Sequence, residues 1–162
     1  MATVTTLAKA AGGRGNPSRK PYMVEVEIDL AAAATAKGSA LAAADVIEAI
    51  SVGANTVVMF AGAEITTAPS GGNGCTFDLG ITGGDVDAFV DGMTVTGASA
   101  GDYGTLANTA CPILVTTADT IDMLLIGTTV DTAGKIRVYA CLMDVDSMGT
   151  QAADEVDRDL LA

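Results

Sequence analysis

From Val24 to Leu30 the chain alternates without a break: Val24, Val26, Ile28 and Leu30 interleave with Glu25, Glu27 and Asp29. A period of two is the side-chain repeat of a β-strand, so this run (22–30) has one dry face and one wet face. Comparable runs predict further strands at 46–52, 56–66, 75–81, 93–96, 113–117, 121–128 and 135–144. The alanine-rich stretch 31–44 has high helix propensity. Gly38 and Ser39 interrupt it, and it reads as a loop with a helical turn near 40–44.

Between these runs stand turn signals: Gly53 to Asn55, Pro69 to Gly74, Gly83-Gly84-Asp85, Asp91-Gly92 and Gly97 to Gly104. Asp-Gly and Gly-Gly pairs supply the positive φ that tight connections require. Eight short strands separated by such turns predict an all-β fold, an antiparallel β-sandwich that is eight-stranded and jelly-roll-like. Two Greek keys would account for the strand count. At 162 residues the chain fits one domain, able to bury roughly 70% of its unfolded surface.

Charge divides the chain into unlike parts. Residues 1–20 carry Lys9, Arg14, Arg19 and Lys20 with no acid, a net +4, while the remainder holds twenty acids and four bases, a net −16. Residues 1–21, rich in Gly, Arg and Pro after residue 10, read as a flexible basic N-terminal arm suited to strap an acidic neighbour. Residues 22–146 are the sandwich domain, and 147–162 an acidic C-terminal tail. An overall charge of −12 argues against nucleic acid, whose phosphates need a basic footprint, and against anionic lipid. No secretory signal pattern opens the chain, and the longest charge-free stretch, 103–118, is too short and polar to span a bilayer. Charged residues make up only 17% of the chain, below the usual quarter or so. Part of the surface is therefore expected to be covered by partner subunits.

Catalytic equipment is scarce. Histidine is absent, which removes the commonest general base and every Ser-His or Cys-His arrangement. Cys75, Cys111 and Cys141 are widely spaced without a C-x-x-C, so they suggest neither a disulfide framework nor a zinc site; whether two of them pair stays open. Arg137 shares a strand face with Cys141, yet a core thiol is the favoured reading. Paired carboxylates among Asp78, Asp85, Asp87, Asp91 and Asp102 could in principle serve glycoside chemistry, but a chain with no Trp and three Tyr lacks sugar platforms. Asp85, Asp87 and Asp91 form a weak candidate metal cluster that misses the EF-hand pattern, since its twelfth position is Thr96. Such acids usually cap turns, with Phe89 and Val90 plugging the core between them. The Gly12–Gly15 and Gly71–Gly74 stretches match no phosphate-binding motif. Lys135 and Arg137 face outward as a solvated strip or as a contact for an acidic partner. No cofactor is expected.

The runs 44–52 (ADVIEAISV), 56–67 (TVVMFAGAEITT), 88–92 (AFVDG), 118–122 (ADTID) and 133–139 (AGKIRVY) resemble small virion structural proteins of tailed bacteriophages, of the capsid decoration or cement type. The resemblance covers residues 22–145 and offers no catalytic residue to carry over. It implies a jelly-roll sandwich that forms dimers or trimers and sits on the outer surface of a capsid, on the lattice of the major capsid protein. A virion-surface knob or fibre-head module that binds host envelope components is the alternative.

Overall fold

The computed structural model describes residues 3–8, 21–81, 83–107 and 111–145. Nine strands and one helix follow in order: β1 (Thr3–Ala8), β2 (Tyr22–Asp29), α1 (Leu30–Lys37), β3 (Val46–Val52), β4 (Thr56–Ser70), β5 (Thr76–Ile81), β6 (Val90–Thr94), β7 (Ile113–Val115), β8 (Asp119–Ile126) and β9 (Ala133–Asp144). Two sheets result, with strand orders β2-β9-β4-β7 and β1-β3-β8-β5-β6.

The pairings explain the shape. β2 pairs with β9, β3 with β8, β4 with β7 and β5 with β6, all antiparallel. That is the pattern of one long eight-strand hairpin. Its rolling up is completed where β4 meets β9 and β5 meets β8. The fold is thus an all-β antiparallel sandwich with the eight-strand jelly-roll arrangement.

One strand lies outside that set. β1 runs parallel to β3 and extends its edge, with Thr3 opposite Val46. The sequence pattern predicts an arm over residues 1–21 and no strand within it. Thr-Val-Thr-Thr-Leu-Ala has high strand propensity, but its partner is distant in the chain, and such a pairing leaves no local signature.

The 31–44 region also differs from expectation: it is helical over Leu30–Lys37. The Asp29 carboxylate accepts hydrogen bonds from the Ala31 and Ala32 amides at 2.9 and 3.1 Å, capping the helix start. Gly38, at φ 78°, donates its amide to the Ala34 and Thr35 carbonyls and ends the helix. Glycine adopts this left-handed conformation without a Cβ penalty. The residue that reads as an interruption is the terminator. Leu30 and Ala33 are buried and anchor the helix to the core.

Between the sheets, Ile28, Ile65, Ile136, Val138 and Leu142 of one meet Ile47, Ile50, Phe77, Leu79, Ile121 and Leu125 of the other, all fully buried. Phe89 and Val90 are buried too and close one end of the core. Alternation is clearest in β9, whose even-numbered residues 136 to 142 are buried while its odd-numbered neighbours are partly exposed. β6 begins earlier than predicted, so Asp91-Gly92 falls inside a strand. The Gly92 amide donates to the Asp78 carboxylate at 2.8 Å, where the β5–β6 register slips.

A buried ion pair ties the helix to the sheet. Lys37 bridges to Asp45, with both side chains nearly inaccessible, and Asp45 also accepts from the Ala42 amide at 2.8 Å. The Asp45 backbone pairs with Leu125 through its carbonyl. Removing one member of such a pair strands a desolvated charge. Lys37→Met is therefore expected to lower unfolding stability by about 3 kcal/mol, measured by chemical denaturation; an unchanged midpoint would contradict this.

Candidate interaction surface

The outward face of the β2-β9-β4-β7 sheet is the most distinctive surface among the described residues. Since the even positions of β9 fill the core, Lys135, Arg137, Tyr139, Cys141 and Met143 point away from it. Register extends each of these into a row. Cys141 lies between Met23 and Phe60, and Met143 opposite Val57, which in turn faces Leu114. Tyr139 lies between Glu25 and Gly62, Arg137 between Glu27 and Glu64. One half of the face is therefore apolar and the other charged.

The segment after β6 adds to the apolar half. Tyr103 bridges to Glu64 of β4, and the Gly104 amide donates to the Ala63 carbonyl at 3.0 Å. The Tyr139 ring and Leu106 crowd the space over Gly62: a Cβ there would lie 2.6 Å from the Tyr139 hydroxyl and 3.0 Å from Leu106. Any larger residue at 62 would lift the ring. Of the large hydrophobic side chains left exposed among the described residues, Met23 (59%), Phe60 (37%), Tyr103 (62%), Leu106 (49%) and Leu114 (53%) belong here. Only Val86 and Ile126 lie elsewhere. Single exposed apolar residues are ordinary, but a contiguous group marks a contact surface.

The charged half is internally paired. Lys135 donates to Glu27 at 2.8 Å and Arg137 to Glu64 at 3.5 Å. The hydrogen bond from Lys135, then that from Thr66, holds Glu27 below its ordinary carboxylate range, while Glu27 pushes Lys135 up. Pairs this exposed add little stability. They do orient the strip and neutralise it. Lys135 and Arg137 face outward together, as their spacing predicts, and each is matched to a glutamate on a neighbouring strand.

Of the other residues singled out from sequence, Asp85, Asp87 and Asp91 lie near one another. The four arm cations Lys9, Arg14, Arg19 and Lys20 lie outside the described residues. The side chain of Asp78 accepts from the Gly92 amide across the β5–β6 pair, and that of Asp102 accepts from the Ser99 amide at 2.7 Å, closing a turn. Asp85 and Asp87 share a hydrogen bond that raises Asp87, with the Asp85 charge adding to it and Asp91 a minor contributor. Among the described residues no three carboxylates or thiols converge as metal ligands. All three cysteines are free thiols. Burial pushes the Cys75 and Cys111 thiols up, the reverse of what a nucleophile needs. Cys141 is a half-exposed member of the apolar face.

Met23, Phe60, Tyr103, Leu106 and Leu114 are not among the residues that sequence reasoning singles out. The available signal is faint: Met23 breaks the acidic rhythm of the wet side of β2, and β9 carries apolar residues in both phases of its alternation.

No family profile matches the chain, and no curated protein does. Similar folds occur among solved structures. One is the capsid of Ralstonia phage GP4, with a TM-score of 0.59 and 18% identity over 88% of this chain and 100% of that one. A second is the capsid asymmetric unit of cyanophage Pam1, with a TM-score of 0.56 and 12% identity over 84% and 93%. A third is the acid-stable capsid of Helicobacter pylori bacteriophage KHP30, with a TM-score of 0.52 and 12% identity over 78% and 90%. At these identities the likeness is one of fold, and it extends over 78–88% of this chain and 90–100% of the others.

At one end of this sheet the Tyr22 hydroxyl donates to Asp144 at 2.9 Å. Burial first, then that hydrogen bond and the carboxylate charge, push Tyr22 from 10.0 up to about 12. A folded value above the unfolded one means that stability present below pH 10 is lost as pH rises through about 12. Titration of tyrosinate absorbance should show a late step near pH 12 that Tyr22→Phe abolishes. Persistence of that step in the variant would contradict the assignment.

Proposed function

We propose that this chain is a non-enzymatic structural protein of a bacteriophage particle, and that it decorates or cements the capsid by binding the major capsid protein lattice from outside. The observation that carries this reading is the likeness of fold, over 78–88% of this chain, to chains of three phage capsid structures. The likeness covers the whole of the GP4 chain.

The surface chemistry is consistent with that role. A protein that works by contact needs an apolar, well-packed face with a charged margin, which the outer face of the β2-β9-β4-β7 sheet supplies. The basic stretch carrying Lys9, Arg14, Arg19 and Lys20 would strap an acidic neighbour, whether another copy or the shell, through charge complementarity. Nucleic acid and membrane are not expected partners of so acidic a body. Homo-oligomers, dimers or trimers, would multiply each weak contact.

Cementing follows from mass action. A protein that binds only the assembled lattice stabilises it by RT ln(1 + [L]/Kd), about 2.7 kcal/mol per site at a hundredfold excess over Kd. Purified protein added to shells that lack it should bind to saturation at a fixed number of copies per lattice repeat. It should also raise the temperature at which the shell opens. Saturable binding without any gain would leave a decoration role and remove the cement role. Binding only at tail or spike tips would favour the host-recognition knob instead.

A further inference from the structure

The apolar group on the outer β2-β9-β4-β7 face continues into a cleft. Tyr103 bridges to Glu64 of β4, and it also lines a space of about 370 Å³ with Asp91, Thr94, Asp102 and Thr105. On the sheet side its neighbours are apolar. Burial first, then nearby Tyr103, push the Tyr139 hydroxyl up, and Leu106 shares with Tyr139 the space over Gly62. Phe60 stands two residues before Gly62 on the same strand. Tyr103 is therefore common to an apolar surface and a polar recess.

The recess has one sign of charge. Its lining contains two acids and no base. Asp91 and Asp102 are both exposed, and Asp102 is fixed in place by the Ser99 amide. The neighbouring loop adds to the field, since the Asp91 charge is felt at Asp87. No described cation offsets it. Lys37 is held by Asp45, Lys135 by Glu27 and Arg137 by Glu64, against fifteen acids among the described residues. A cleft lined by one sign of charge focuses potential and concentrates the opposite ion. The Thr94, Thr105 and Tyr103 hydroxyls can accept from an ammonium or guanidinium, and the Tyr103 ring offers a cation its face.

These features select the occupant. An acidic segment is repelled from the cleft, and a free cation leaves Tyr103 (62% exposed), Leu106 (49%) and Phe60 (37%) bare. A segment that carries both a cation and an apolar anchor satisfies both parts. This chain's own basic stretch does not supply the pair: between Lys9 and Lys20 the cations stand among Ala, Gly, Asn, Pro and Ser.

We propose that the cleft between Asp91 and Asp102, together with Tyr103, Leu106 and Phe60, is one docking site for a segment of a different protein in which a lysine or arginine lies close to a large apolar side chain. The cation enters the cleft, and the apolar side chain rests on the sheet face. The proposal rests on the reading as a capsid-binding protein and states the chemistry of the lattice patch that it meets.

Nuclear magnetic resonance of the isotope-labelled full chain, titrated with the synthetic peptide acetyl-Leu-Gly-Arg-amide, tests the site without any particle. Saturable amide shifts are expected over residues 91–94 and 102–106 and at Phe60. Asp91→Asn and Tyr103→Ala should each weaken binding about tenfold, as expected for loss of a charge-assisted contact or an aromatic anchor. Salt should weaken it as well. Circular dichroism verifies that both variants fold. Absence of saturable shifts at these residues would overturn the proposal, as would equal binding of acetyl-Leu-Gly-Glu-amide. Equal binding of acetyl-Gly-Gly-Arg-amide would leave a charge trap without an apolar anchor and overturn it too. Shells that lack the protein separate the two readings. If they bind wild type and both variants alike, the docking site fails and the capsid reading stands. If the peptide binds as described but shells do not take up the protein, the site stands and the capsid reading fails.

Discussion

β9 is the strand on which the rest of the molecule depends. It is paired along nearly its whole length with β2 on one side and β4 on the other, so it fixes the register of three strands at once. A slip of one residue would move Ile136, Val138, Ala140 and Leu142 out of the core and put Lys135, Arg137 and Tyr139 into it. Burying unpaired cations is among the most unfavourable changes a fold can undergo. The same alternation that locks the register therefore also builds the outward face. Core and contact surface are two sides of one constraint.

Around that strand, buried carboxylates hold the connections. Asp131 is buried, and it accepts from the Gly72 amide and the Thr96 hydroxyl, while Thr96 in turn accepts from the Cys75 amide. The Asp45 carboxylate likewise holds Lys37 of the helix and the Ala42 amide, while its backbone carbonyl accepts from the Leu125 amide of β8. These carboxylates fasten loops to the sandwich; a satisfied buried network rigidifies the segments it joins. Most acids near turns have a structural role of this kind.

Much of the fold is legible in the residues themselves. The alternation in β2 and β9, the turn at Gly53 to Asn55 and the core positions of Phe89 and Val90 all follow from period and turn chemistry. What escapes is non-local or ambiguous. α1 is hidden because Asp29 belongs to the acidic face of β2 by pattern, yet its carboxylate caps the next element. β1 escapes because its partner is decided by the free edge of β3 and not by neighbours in sequence. The apolar contact face is the hardest to see: Met23, Phe60 and Leu114 come from three different strands, and only the sheet order β2-β9-β4-β7 brings them together. Periodicity predicts that a strand has two faces, but not which of its neighbours will complete them.

Three-dimensional reconstruction of an intact particle that contains this chain tests the central claim most directly. The expected result is jelly-roll density repeating regularly over the outside of the shell, with the β2-β9-β4-β7 face covered and the turns of the sandwich open to solvent. Density confined to tail or spike tips, or a jelly roll on the shell with that face bare, would contradict it.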